Sequence, residues 1–236
     1  MIRITKHPPW AAELLKSTKP YEDRIVNSRI FNDMASGVLS ITRFRAGLIN
    51  FYPFIENFPK YMALNLAKVP AGDAVWNKKT RFWLISNLNQ ERVHTGWWKQ
   101  WAFGFGVPTD VFDSEISPPA EMDAINNYLW RVCGFGSLAE GISAAHFAVE
   151  GVTGLWTKKV RDGIKKYSRV KGVKVTERTL EWIEAHASYD DKHPQQALEI
   201  LKAIASTETD RMKIKQAAIR TLEYYALALD ACYDGL

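Results

Sequence analysis

Cysteine is scarce: only Cys133 and Cys232 occur in 236 residues, far apart and in no CxxC arrangement. That excludes a disulfide framework and an all-thiolate metal site, and it fits a reducing, cytoplasmic setting. Long apolar runs are lacking too. No stretch approaches the ~18 consecutive apolar residues that a membrane span needs, and the N-terminus (Met1-Ile-Arg-Ile-Thr-Lys-His-Pro-Pro-Trp) has no apolar core of a signal peptide. Alternating Val/Ile/Thr segments bounded by turn residues are hard to find. No internal repeat, low-complexity tract or linker divides the chain.

What is plentiful is apolar and aromatic side chain. Hydrophobic residues make up 47% of the chain and nine are tryptophan, enough for a sizeable core. Apolar residues recur at i, i+3 and i+4, which predicts helices at roughly 8–17, 20–35, 38–68, 74–104, 119–131, 135–167, 177–205 and 208–233. Pro53 and Pro59 should bend or split the third of these, and Pro194 should kink the seventh. The expectation is an all-α fold in which residues 1–236 form one domain, a bundle of about seven or eight helices.

The net charge of +5 is unevenly placed. From Lys158 to Arg178 nine Lys/Arg face only Asp162 and Glu177, an excess of 9 − 2 = +7 that exceeds the whole-chain total. A solvated connector between helices explains such a run, and no base-reading motif accompanies it. Nucleic acid is therefore not an expected partner.

Several polar residues do not belong on ordinary packed helices. In His186-Ala-Ser-Tyr-Asp190-Asp191-Lys-His193, positions 186, 190 and 193 share one helical face at ~100° per residue. Taken alone, that stripe could equally face solvent. Glu91-x-x-His94 is an i, i+3 pair of the type that di-iron carboxylate bundles use on two of their helices, with a further Glu from each of two others. Asp190-x-x-His193 repeats the device with a shorter carboxylate. Two further acids lie in apolar surroundings: Glu56 in Phe51-Tyr-Pro-Phe-Ile-Glu56-Asn-Phe, and Glu150 in Ala148-Val-Glu150-Gly-Val-Thr. A lone carboxylate buried there would cost several kcal/mol, which a metal could offset. The alternative for each is a surface position or a buried ion pair. The inventory is four carboxylates (Glu56, Glu91, Glu150, Asp190) and three imidazoles (His94, His186, His193). Mixed oxygen and nitrogen donors suit iron or manganese, and seven donors are too many for one ion with open positions but fit two. His146, four residues before Glu150, reads as a supporting or core histidine, and His7 as unrelated. The run Trp97-Trp98-Lys-Gln-Trp101-Ala-Phe103-Gly-Phe105 reads as core, with some rings available to wall an apolar pocket.

These residues also carry a family resemblance. The order Glu, Glu-x-x-His, Glu, His-x3-Asp-x2-His resembles the haem-oxygenase-like di-iron oxidases, which share the helical fold of thiaminase II (TenA-like) and of pyrroloquinoline quinone (PQQ) synthase C. Within that group the likeness is strongest to the medium-chain fatty-acid decarboxylases that form 1-undecene. It rests on PFIENFPKYMALNLAK (residues 53–68), NLNQERVHTGWWKQW (87–101), FAVEGVTGLW (147–156) and HASYDDKHPQQALEI (186–200), with similar spacing over residues 8–230. The resemblance implies two Fe(II) ions per chain, the second labile, with O2 as co-substrate. Glu91, His94 and His186 match ligands of the better-occupied iron. Glu56, Glu150, Asp190 and His193 match groups that complete or bridge to the other. Glu91, His94, His186 and Glu150 would be the catalytic set. The implied reaction is oxidative decarboxylation of a medium-chain fatty acid to a terminal alkene, drawing on an external electron donor; a homodimer is compatible with it. Three other readings stand beside it. One is an iron-dependent N-oxygenase or C–C-cleaving oxidase of an amino acid or aromatic amine. Another is a metal-free thiaminase-like hydrolase, which would need a cysteine nucleophile near acids. The last is a non-catalytic iron-binding or regulatory protein.

Overall fold

A computed structural model describes residues 2–188 and 192–234, and among these there is no strand. The helices are shorter and more numerous than the seven or eight expected. In chain order they are α1 (Pro9–Val26), α2 (Arg29–Ser36), α3 (Ile41–Asn50), α4 (Tyr52–Ala67), α5 (Val75–Glu91), α6 (His94–Gly104) and α7 (Ala120–Phe135), then α8 (Leu138–Gly141), a π-helix (Ile142–Val149) and α9 (Glu150–Ile164) in direct succession, and finally α10 (Glu177–Ser188), α11 (Lys192–Ile204) and α12 (Glu208–Asp234).

The departures from expectation have local causes. α1 runs straight through Pro20, because Pro20 and Lys16, whose carbonyl loses its partner, both lie on the exposed face where water can replace the bond. The long third helix does divide, at Phe51, and Pro53 then sits in the first turn of α4, where its missing N–H is harmless. Pro59 stays inside α4. The fourth breaks at Arg92 and Val93, between Glu91 and His94. The seventh is described over α10 and α11, with Pro194 in the latter, and what joins them lies outside the described residues.

Caps close the ends that matter. Ser137 and Glu140 form a capping box that starts the α8–π–α9 rod, Ser137 Oγ accepting from the Glu140 N–H and the Glu140 carboxylate from the Ser137 N–H. Gly37 ends α2 in the left-handed region at φ 74°. The basic segment is more than a solvated connector. Lys159 donates to the Val26 carbonyl at 2.7 Å and Lys166 to the Ala35 carbonyl at 3.2 Å. Both put a cation on a helix carbonyl terminus, where the macrodipole favours it.

α12 packs along α1, α7 and the π-helix, while α10 lies between α6 and α9. At the centre of that layer the indole of Trp182 stacks on Trp101 and Trp156, with ring centroids 5.9 and 5.5 Å apart, and meets Trp98 edge-on at 4.8 Å. Offset and edge-to-face contacts of this kind are the favoured aromatic geometries. α9 meets α2 backbone to backbone: a Cβ on Gly163 would fall 2.4 Å from the carbonyl oxygens of Met34 and Ala35. Among the described residues no helix is long and apolar enough to cross a membrane.

Candidate metal centre

Five helices, α5, α6, α9, α10 and α11, bring donor side chains together beside the tryptophan layer. Glu91 is the last residue of α5 and His94 the first of α6. The one-turn break between them leaves the pair in contact, with His94 Nδ1 2.6 Å from Glu91 Oε2, both side chains nearly removed from solvent. His186 occupies the last turn of α10, its ring stacked on Trp182 with centroids 3.9 Å apart and 4.7 Å from the His94 ring. Its Nδ1 lies 2.7 Å from the Trp182 carbonyl. A carbonyl can only accept, so Nδ1 carries the proton and Nε2 is left as the lone-pair nitrogen.

Glu150 opens α9 where the π-helix ends. Its Oε1 accepts from His146 Nδ1 at 2.9 Å and its Oε2 from His193 Nδ1, on α11, at 3.2 Å. Glu91, His94, Glu150, His186 and His193 line one cavity of about 60 Å³. Phe54, Ile55, Phe58, Val149 and Trp182 form its apolar wall, and Lys192 is its one Lys or Arg among the described residues.

Burial and pairing set the charges. Burial alone would raise the Glu150 carboxyl, but the hydrogen bonds from His146 and His193 outweigh it and hold the group down at about 2. Burial pushes His186 down to about 3, with the His94 ring beside it acting in the same direction. Burial opposes protonation of His193 as well, yet the Glu150 carboxylate raises it above the ordinary value.

Five of the seven expected donors thus share one cavity. Glu56 does not. It is exposed on the outer side of α4, accepts from the Tyr52 hydroxyl at 3.3 Å, and lines a separate cleft with Asp113, Glu115 and Asp123. Position 56 lies ~200° around the helix from both 54 and 58, and Phe54 and Phe58 are the residues turned to the cavity. The expectation of an inward carboxylate at 56 is therefore corrected. Asp190 lies outside the described residues. None of the rings from Trp97 to Phe105 lines the cavity: Trp98, Trp101 and Phe105 are core, and Trp97 packs behind His94 at 5.2 Å. Sequence reasoning missed Trp182 and Lys192. Trp182 stands four residues before His186, so helical spacing alone could have found it. Cys133 is buried in α7 away from the cavity, its thiol pushed up to about 12 by burial, which removes it as a nucleophile here.

The donor set fits iron. Carboxylate oxygens and imidazole nitrogens are the ligands non-haem iron takes. A metal needs its ligands deprotonated, and the ionised Glu150 and neutral His186 meet that need. His186 also gives its second ring N–H to a carbonyl, the arrangement that orients ligating histidines. In the geometry described, Glu91 is hydrogen-bonded to His94 and Glu150 to His146 and His193, and among the described residues no three His, Cys, Asp or Glu are grouped to hold an ion.

Fold and site together define a helical bundle with a cavity lined by carboxylates and imidazoles, and comparison with known proteins gives that class its family. A family described as iron-containing redox enzyme, of the haem-oxygenase-like type, matches residues 45–226, and the chain belongs to it. Among solved structures, the chain is similar to a TenA homologue from Pseudomonas syringae pv. tomato, with 28% identity, a TM-score of 0.86 and 98% of each chain covered. It is also similar to a domain of unknown function with a haem-oxygenase-like fold from Shewanella denitrificans: 17% identity, TM-score 0.77, 98% of this chain and 94% of that one. A TenA homologue from Pyrococcus furiosus aligns at 20% identity and a TM-score of 0.75, covering 95% of this chain and 100% of the other. The latter two likenesses establish the fold alone. No curated protein matches the chain.

Proposed function

We propose that this protein is a dioxygen-activating non-haem iron oxidase whose cavity holds two ferrous ions and whose substrate is an apolar carboxylic acid, a medium-chain fatty acid converted to a terminal alkene. The observation that carries the reading is the convergence of Glu91, His94, Glu150, His186 and His193 on one cavity whose remaining wall is aromatic and aliphatic. Glu91, His94 and His186 would hold the inner ion, and Glu150 and His193, with Asp190, the outer one. Bound iron supplies the means of reducing dioxygen. In the overall balance the acid gives up two electrons and two protons as carbon dioxide leaves, an external donor supplies two more of each, and dioxygen ends as two waters.

The protein's own residues do the positioning. Trp182 fixes the His186 ring by stacking, and its carbonyl fixes the tautomer. Phe54, Ile55 and Phe58 keep water from the reacting carbon, as an oxidant requires. Lys192 places positive charge where a substrate carboxylate would enter. A surface groove of about 520 Å³ meets the cavity at Lys192 and His193 and has Phe82 and Trp83 among its walls. Its volume lies in the range of small-molecule sites and suits a hydrocarbon chain trailing outward. An amino-acid or amine substrate would call for acidic partners for its nitrogen, and the cavity's two carboxylates are already engaged with imidazoles.

Anaerobic loading with ferrous iron, desalting and elemental analysis test the centre. Close to two ions per chain before desalting and one after are expected; zinc retained in place of iron, or no metal at any loading, overturns it. Saturated acids of about ten to fourteen carbons, added before oxygen, test the substrate. Each methylene buried contributes ~0.8 kcal/mol, so affinity should rise about tenfold per two carbons until the groove is filled. Headspace gas chromatography should find the alkene one carbon shorter. Its absence across the series, from iron-loaded protein, removes the substrate and leaves the centre standing.

A further inference from the structure

His146 lies outside the expected ligand set, yet it is one of the most completely buried polar residues of the chain, with none of its surface accessible. Its Nδ1 donates to Glu150 Oε1 at 2.9 Å. Its ring rests against Trp83 of α5, with centroids 4.9 Å apart, and Trp83 is itself held by a hydrogen bond from its Nε1 to Gln196 of α11 at 2.7 Å. Nε2 of His146 is buried with no hydrogen-bond partner among the described residues. A buried imidazole nitrogen left without a partner is costly, so the ring's placement is set by what Nδ1 does.

The backbone beneath it is equally unusual. Ile142 to Val149 form a π-helix, and the Glu150 N–H bonds back five residues to the Ala145 carbonyl. π-turns are rare and concentrate at functional sites. The wider turn accommodates an extra residue, which changes the rotation of everything before Glu150 relative to α9. It is also where small residues, Ala144 and Ala145, let α11 and α12 pack closely.

We propose that His146 is a positioning residue for the metal centre: it holds one Glu150 oxygen from inside the bundle, so that the other is presented to the outer ion, and the π-helix is what delivers the imidazole to that point. This rests on the two-ion reading given above. Ligating carboxylates are generally hydrogen-bonded in this way, and loss of such a partner lowers metal affinity about 10- to 100-fold.

Two variants separate positioning from packing. His146→Leu keeps apolar bulk against Trp83 and removes the donor. His146→Asn loses bulk but keeps an N–H donor two bonds from Cβ, where Nδ1 stands. Cobalt(II) titration of the metal-free protein, followed by visible absorption, reads both ions. Thermal melting is recorded beside it. In His146→Leu the second cobalt is expected to bind about 10- to 100-fold more weakly with an altered d–d band, although the variant melts at or above the temperature of His146→Asn. In His146→Asn affinity and band return to within a few-fold of wild type. A structural role predicts the opposite, affinity following melting temperature. Wild-type affinity in His146→Leu, or equal losses in both variants, overturns the proposal while two-ion binding by the wild type still stands. Should His146→Leu fail to fold, His146→Asn alone decides: loss of its second ion overturns the donor role. A wild-type chain that takes up no cobalt or iron overturns the two-ion reading and this inference with it.

Discussion

Gly151 sits one residue past Glu150, where α9 passes α11, and the space above it sets how close Glu150 and His193 can come. A Cβ at 151 would stand 3.6 Å from Pro194 Cβ and 3.8 Å from Pro194 Cγ, ordinary van der Waals separations. Gly151→Ala therefore fits without movement. Alanine is favoured over glycine in a helix by about 0.8–1 kcal/mol, so the variant should be more stable by about 1 kcal/mol. For a chain of this size that is a rise in Tm of about 2–4 °C. Gly151→Val is a different perturbation. Its γ-carbons add bulk beyond a Cβ that already touches Pro194, so α11 is expected to yield there. Overpacking of this kind costs about 1–3 kcal/mol, or roughly 2–12 °C on the same scale. His193 precedes Pro194 and moves with it, which opens the 3.2 Å contact to Glu150. Calorimetry of the metal-free variants gives the stabilities, and a histidine NMR titration gives the local consequence. The His193 midpoint should stay raised in wild type and Gly151→Ala and fall in Gly151→Val. A loss of stability in Gly151→Ala, or a Gly151→Val protein indistinguishable from it, would refute the packing argument.

Other positions give further expectations. Gly163→Ala brings a methyl to within 2.4 Å of two α2 carbonyls and should cost about 1–3 kcal/mol, read as a lower Tm with iron stoichiometry retained. Glu199 is buried and accepts from the Thr5 N–H and hydroxyl and from Lys202. Burial alone would raise its carboxyl, but the bond from Lys202 and then those from Thr5 hold it below the usual range. Its contribution is thus present above the unfolded value near ~4.3 and lost as pH falls through the depressed folded value. Glu199→Gln should flatten that part of the acid limb in a pH series of melts; an unchanged limb would count against it. Glu56→Gln, which alters a residue outside the cavity lining, should bind iron as wild type does, and a lost ion would restore Glu56 to the centre.

The parts of this architecture that sequence reveals are the periodic ones. All-helical character followed from i, i+3, i+4 spacing, and the buried faces of α10 and α12 obey it. Glu91 and His94 were paired by spacing and do meet, although not for the reason supposed: they are the end of one helix and the start of the next, at a break that no proline or glycine marks. Glu56 failed because an aromatic run was read as a uniform environment, when the rings at 54 and 58 on one side leave 56 on the other. The π-helix had no legible signal. Ile142 to Val149 reads as an ordinary apolar helix, and α11 and α12, which pack against it, are distant in sequence.

Three of the described donors stand where helical regularity stops: Glu91 and His94 across a break, and Glu150 at the exit of the π-helix. Within a regular helix a side chain's direction is fixed by its neighbours every 100°, so donors on one helix reach a common point only at spacings such as i, i+3. Helix ends relax that constraint, at the cost of backbone groups that need other partners. The centre also grades outward. Glu91 and His94 are almost fully enclosed and His186 is clamped on the tryptophan layer, whereas the His193 side chain keeps 21% of its surface. On the two-ion reading the inner position is therefore the one whose ligands need least ordering when metal binds. Ordering a side chain costs up to ~2 kcal/mol of rotamer freedom, which is more than tenfold in affinity. An ordering cost at His193 acts against the outer ion, although Glu150, at 12% exposure, is as enclosed as Glu91 at 11%.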